Sequence, residues 1–322
     1  MVYEYAIDPS SLTSKHRLQL IADNVGTHLG RLVAEYPGSW RTTVGRSLNG
    51  QSPLERERLV TLFQRIRPYL IPAGRRDYND QNGNWLSNAE CVQATIHPFR
   101  AIVSEGNPRN HPEVLKIEDM DASTALWKTG HSLLVPRDAA MMADCAKLLL
   151  HIASDIVFVD PHFKPNSGQF LRPFEQFMRR CMNNRRGTPP RIRLMVRETE
   201  YDACSGDTFE QYCKTALSPL IPISLQCELV RFREKVTPSE KIHNRYVLTD
   251  RGGIDFGIGL DDDNGEGGQT DDVHLLEKEH FDTRWHQYAL MEGFDEAVPP
   301  AIIVGVKQET VPPFAGNSGR LV

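Results

Sequence analysis

The spacing of apolar residues changes several times along the chain, and each change marks an element. From Leu12 to Glu35, and again from Pro53 to Ile71, apolar residues recur every three or four positions, which predicts amphipathic helices. The second run opens on Ser52-Pro53, a helix-start signal, and carries a Glu/Arg-rich exposed face. Pro72 to Asn84 is dense in Gly, Asn, Asp and Arg and reads as a loop. Trp85 to Ala89 predicts a short turn, Gln93 to Val103 a strand, and Gly106 to Pro112 another loop. Residues 1–125 therefore read as a mixed α+β N-terminal domain.

The pattern is more regular over residues 126–322. Strands are expected at Ser132 to Pro136, Asp155 to Asp160, Arg191 to Val196 and Glu228 to Phe232. Helices are expected between them at Ala139 to Ser154, Phe170 to Met182 and Thr208 to Ala216. The run DIVFVD at Asp155 is apolar and β-branched throughout, as in a strand buried on both faces. This alternation argues for an α/β layered domain with a largely parallel sheet. Two β-type runs, His243 to Thr249 and Ile254 to Leu260, flank Gly252-Gly253 and predict a hairpin. Asp261 to Asp272 reads as an acidic, Gly-rich loop, Glu277 to Ala289 as the last helix, and the tail beyond Pro312 as flexible.

Composition narrows the function classes. The net charge of −5 supplies no global attraction for nucleic acid or anionic membrane, so any such binding must rest on a local patch. No apolar run approaches the roughly 20 residues of a membrane span. The first residues lack the basic-then-apolar plan of a signal peptide. The six cysteines (Cys91, Cys145, Cys181, Cys204, Cys213, Cys227) are scattered with no CxxC pair, which predicts reduced packing residues and a cytoplasmic protein.

The chemistry-bearing pattern is His243-Asn-Arg245-Tyr-Val-Leu-Thr-Asp250, an H-x-(K/R)-x4-D. Residues two apart on a strand share a face, so His243 and Arg245 are expected to point together. An imidazole can attack phosphorus, and a fixed cation can hold the oxygens on which charge develops. Asp250 falls on the opposite face of a regular strand.

With Gly257 at the family's glycine position, the chain here resembles the phospholipase D superfamily, whose members share H-x-K-x4-D followed by a Gly. The resemblance covers about the last 195 residues. It implies a phospholipase D-like mixed sheet flanked by helices, and a metal-independent phosphodiesterase, a nuclease ahead of a lipase, working through a phosphohistidine. His243, Arg245 and Asp250 would be its catalytic set, with no metal and no cofactor. The family uses two histidines, and single-motif members dimerise to supply the second, so a homodimer is implied.

The departures are Arg245 in place of Lys, Ile258 in place of the usual Ser or Thr, and Leu260 in place of the Asn expected nearby. The run Gly257-Ile-Gly259-Leu-Asp261 is similar to the phospholipase D-like C-terminal domain of MIT-domain proteins, which bind phospholipid without catalysis. That similarity keeps open a silent module for nucleic acid or phospholipid head groups, or a structural subunit with partner proteins. The organisation also resembles bacterial proteins of this superfamily tied to anti-phage defence.

Asp160-Pro-His162-Phe-Lys164 follows the most apolar strand, where open α/β sheets gather ligands, so His162 and Lys164 are candidate phosphate-binding residues with Gly257. Arg179, Arg180, Arg185, Arg186, Arg191 and Arg193 form the densest basic cluster, open to a nucleic-acid backbone or to helix-end capping. The Asp261 to Asp272 loop fails as a calcium loop because Leu260 falls at the first ligand position.

Overall fold

Five short strands in the first third of the chain make a parallel sheet. They are β1 (Tyr3–Ile7), β2 (Arg31–Glu35), β3 (Leu70–Pro72), β4 (Ala101–Ser104) and β5 (Val114–Lys116). Between them run α1 (Lys15–Asn24), α2 (Trp40–Leu48), α3 (Pro53–Ile66) and α4 (Trp85–Gln93). The computed structural model describes residues 1–48, 52–121, 123–182, 185, 188–198, 206–235, 241 and 243–308. The tail beyond Pro312, Cys204 and Arg186 lie outside the described residues.

The strand order is β3-β2-β1-β4-β5. Tyr5, Ile7 and Val33 pack with Leu18 of α1 and Leu59 of α3 on one face, while Ala6, Ala34 and Ile102 pack with Leu86 and Ala89 of α4 on the other. The N-terminal unit is thus an α/β layer, not the expected α+β mixture. The helical period from Leu12 is broken at Asn24, because Gly26 and left-handed Gly30 (φ 69°) turn the chain into β2. Pro68 lacks the N–H a continuing helix needs, so α3 ends before it and Leu70–Pro72 joins the sheet. Where a turn was expected, Asn84 caps α4 by accepting from the Ser87 N–H at 2.9 Å.

The second unit has β6 (Ser132–Pro136), α5 (Ala139–Ile152), β7 (Asp155–Val159), α6 (Gly168–Met182), β8 (Arg191–Arg197), α7 (Gly206–Leu217) and β9 (Gln226–Glu234). It continues with β10 (Tyr246–Thr249), β11 (Gly252–Phe256), β12 (Thr270–Leu275), α8 (Lys278–Arg284), β13 (Phe294–Glu296) and β14 (Ala301–Val304). The order is β13-β9-β8-β7-β10-β11-β12-β6, with β14 also on β9. Among the described strands of this sheet, only β7·β8 and β8·β9 pair in parallel. The sheet is therefore mixed, and the largely parallel one suggested by the helix–strand alternation is confined to three strands.

Residues from α5, α6 and α7, including Met142, Phe177 and Leu217, form the core on one face. On the other, Phe232 and Tyr246 meet Tyr288 and Ala289 of a π-helical turn that follows α8. β12 occupies part of the expected acidic loop: Asp271, Val273 and Leu275 alternate inward, a period hidden because aspartate disfavours strands.

The two units meet closely. Leu126 and Trp127 pack in the N-terminal core, just past the expected boundary, and the Trp127 ring lies 4.7 Å from that of Tyr5. Gly252 and Gly253 already belong to β11. A Cβ on Gly252 would come within 2.4 Å of Thr27 Cγ2, and one on Gly253 within 2.7 Å of Leu248. Close packing demands glycine at both positions, and Gly252 also holds a positive φ (156°) that favours glycine. Among the described residues no helix is long and apolar enough to cross a membrane.

Candidate functional site

Strand direction decides which residues meet. β10 runs against β7, with Tyr246 opposite Val159, so the residues before β10 stand beside the C-terminal end of β7. β8 runs with β7, which brings Arg197 to the same end. β11 runs against β10 and delivers Gly257 there as well.

His243 and Arg245 precede the strand, correcting the expectation that β10 would carry them. Pairing still reaches Arg245, whose carbonyl accepts from the Phe256 N–H at 2.9 Å. Arg245 Nε is buried with no hydrogen-bond partner among the described residues, and His243 is exposed. On the loop after β7, Pro161, Phe163 and Pro165 are buried while His162 and Lys164 are exposed. Phe163 anchors this loop against Phe170, ring centroids 5.6 Å apart. The alternation turns His162 and Lys164 outward, at the end of the sheet where His243 and Arg245 stand.

His162 titrates below the usual histidine range. Surrounding protein removes part of its hydration, and the charges of Arg245, Arg197, His243 and Lys164 oppose its protonation. Lys164, Arg197, His243 and Arg245 thus all act on His162 at the sheet's end.

Asp160 is buried, 1% exposed. Its Oδ1 accepts from the His162 N–H at 2.9 Å and its Oδ2 from the Leu260 N–H at 3.2 Å. Burial pushes its pKa up to about 6, against the opposing pull of those two N–H groups. Asp261 raises it further and Arg245 lowers it.

Asp250 sits at the other end of β10. Its Oδ1 accepts from the N–H groups of Ser154 (2.8 Å) and Asp155 (3.3 Å), closing the start of β7. It is not brought together with His243 and Arg245. Gly257 lies against Asp271, where a Cβ would stand 3.3 Å from Oδ1, and the next N–H, of Ile258, donates to both Asp271 oxygens at 3.3 Å. Leu260 is buried (6% exposed) in the core, whereas Ile258 is 51% exposed. The acids after Leu260 hold the loop down: Asp261 pairs with Arg137 at 2.7 Å and Asp262 with Arg172 at 2.6 Å.

No family model matches the chain. No curated protein matches it either.

Two site residues were missed from the sequence. Asp160 stood in the run that nominated His162, but nothing in the sequence distinguished it from a loop aspartate. Arg197, paired with Glu234 at 3.6 Å, is a lone arginine whose signal was its place at a strand's C-terminal end. The dense arginine cluster is engaged elsewhere. Arg180 pairs with Asp144 (2.7 Å), Arg191 with Glu228 (2.7 Å) and Arg193 with Asp155 (2.9 Å), while Arg185 donates to the Leu150 carbonyl at 3.0 Å. A cleft of about 1420 Å³ runs between the two units past Glu4, Arg76, Arg100 and Leu134, and includes none of the motif residues.

Proposed function

We propose that the chain is a metal-independent phosphodiesterase of phospholipase D type whose substrate is nucleic acid. The observation that carries this reading is the gathering of His162, Lys164, Arg197, His243 and Arg245 at one end of the mixed sheet, where partial burial first, and then the charges of the other four, hold the His162 pKa down. Such a cluster is unfavourable until an anion arrives, and a phosphodiester is an anion that also offers imidazole an electrophile.

In the proposed reaction His243 attacks phosphorus while Arg245 and Lys164 hold the non-bridging oxygens. The bound anion offsets the repulsion on His162, which takes up a proton and passes it to the leaving oxygen. Water, deprotonated by His162, then cleaves the phosphohistidine. Both histidines come from one chain in this scheme.

A single assay series tests it. Cleavage of single-stranded DNA, duplex DNA or RNA should survive EDTA, with lipid vesicles as the control substrate. His243→Ala should abolish turnover, Arg245→Ala should weaken binding and rate together, and Arg245→Lys should retain most activity. Cleavage that depends on added metal, or persists in His243→Ala, would refute the scheme.

A second reading, a silent phosphate-binding module, is favoured by one observation: core-buried Leu260 and exposed Ile258 stand where the family carries Asn and Ser or Thr. It predicts salt-sensitive binding without cleavage, and a larger loss of affinity from Arg245→Ala than from His243→Ala.

A further inference from the structure

Several features carry less than the site itself. The inter-unit cleft has walls of mixed charge, with Glu4 and Arg76 paired to each other at 3.0 Å, and so selects no ligand class. The acidic loop after Leu260 is held by arginines. Asp160 differs: it is a buried carboxylate with no ion-pair partner among the described residues, bonded to the backbone of His162 in the cationic cluster.

We propose that Asp160 is the positioning residue of the phosphodiester site, a clip that joins the two loops on which the site is built. Its two oxygens each take one backbone N–H, that of His162 on the loop after β7 and that of Leu260 on the loop after β11. These loops are 100 residues apart in sequence, and this carboxylate bonds to both. The first loop carries His162 and Lys164, and the second contains Gly257.

The arrangement has a physical reason. Asp160 N–H is tied to the Met195 carbonyl at 3.0 Å, so its backbone is fixed to the sheet between β7 and β8. Asp160 lines a small space with Phe158, Phe163, Phe170, Phe174 and Leu260, whose side chains offer no polar group to replace a lost acceptor. A carboxylate is the small side chain that offers acceptors to two donors at once. Leucine or phenylalanine would fill this space with less desolvation cost but would leave both N–H groups unpaired. The inference rests on the phosphodiesterase reading and adds to it the device that sets His162 in place. Asp160 touches no reacting atom in this scheme.

Asn fits the same volume and accepts one bond in place of two, so Asp160→Asn separates clip from bulk. On a single-stranded DNA substrate, Asp160→Asn should lower kcat by about tenfold or more with KM held within about twofold. Circular dichroism should show the fold intact. In the wild type the Leu260 amide resonance should shift with the same midpoint as the Asp160 carboxyl carbon, and in the variant that amide shift should be lost. If Asp160→Ala fails to fold, the Asn variant and the amide titration still decide. A wild type that cleaves, with an Asn variant matching its kcat, overturns the inference and spares the phosphodiesterase reading. A Leu260 amide that does not follow the Asp160 carboxyl carbon also overturns it. A wild type that neither cleaves nor binds the DNA overturns the phosphodiesterase reading, and this inference falls with it.

Discussion

Asp160 makes the clearest test at the scale of single residues, because burial sets its ionisation. Its pKa rises from 3.8 to about 6 in the folded chain, so the native state holds this proton more tightly than the unfolded one. The carboxyl's contribution to stability is therefore greatest below pH 4, falls as pH rises through 6, and stays low above it. Asp160→Asn lacks the titration. Urea melts should show its stability relative to wild type improving by about 2–3 kcal/mol between pH 4 and pH 8. A difference that does not change with pH would mean that the carboxyl is not held as described. His162 offers a second test of the field around it. Arg197→Gln removes one opposing charge and should raise the His162 pKa, read from its ring proton shifts. No movement would remove Arg197 from the site.

Among the elements, β10 separates a motif that is contiguous in sequence. Its strand carries His243 and Arg245 to one end of the sheet and Asp250 to the other, where Asp250 caps the start of β7. Asp250→Ala should therefore cost about 1 kcal/mol, since the half-exposed N–H groups it serves can turn to water. Its kcat and KM should stay within about twofold of wild type. Loss of cleavage with stability unchanged would return Asp250 to the catalytic set. Sequence periodicity located α5, β7 and α6 closely, and α3 at its start, because each helix buries one continuous stripe and β7 is apolar on both faces, whereas the expected helix from Pro53 ran on into β3. It misread the segment from Leu12, where a helix and a strand share apolar spacing across a glycine turn. It missed β12, whose inward positions include a buried aspartate.

For the whole molecule, the fit between the two units rests on Gly252 under Thr27. Gly252→Ala should destabilise the chain by about 1–3 kcal/mol through overpacking against Thr27 and strain at its positive φ, measured by thermal or denaturant unfolding. An unchanged stability would show that the two units can separate there without loss. Assembly is tested by mixing. If both histidines act within one chain, His162→Ala and His243→Ala chains should stay inactive together. If a homodimer shares histidines across a two-fold axis, the mixture should recover part of the activity, and the single-chain scheme would be wrong.

The sequence by itself determined the α/β alternation of the second unit, the choice of imidazole and guanidinium at 243 and 245, and the nomination of His162 and Lys164. These are local properties of period and residue type, legible because one face of each element must be apolar. Only the tertiary structure decided which of those residues meet. Strand direction put Arg197 and the loop of His162 beside Arg245 and sent Asp250 away. Contact across 100 residues turned Asp160 from a loop aspartate into a buried acceptor for two loops. Spacing along a chain fixes which residues share a face of one element, whereas the order and direction of strands fix which elements share an end.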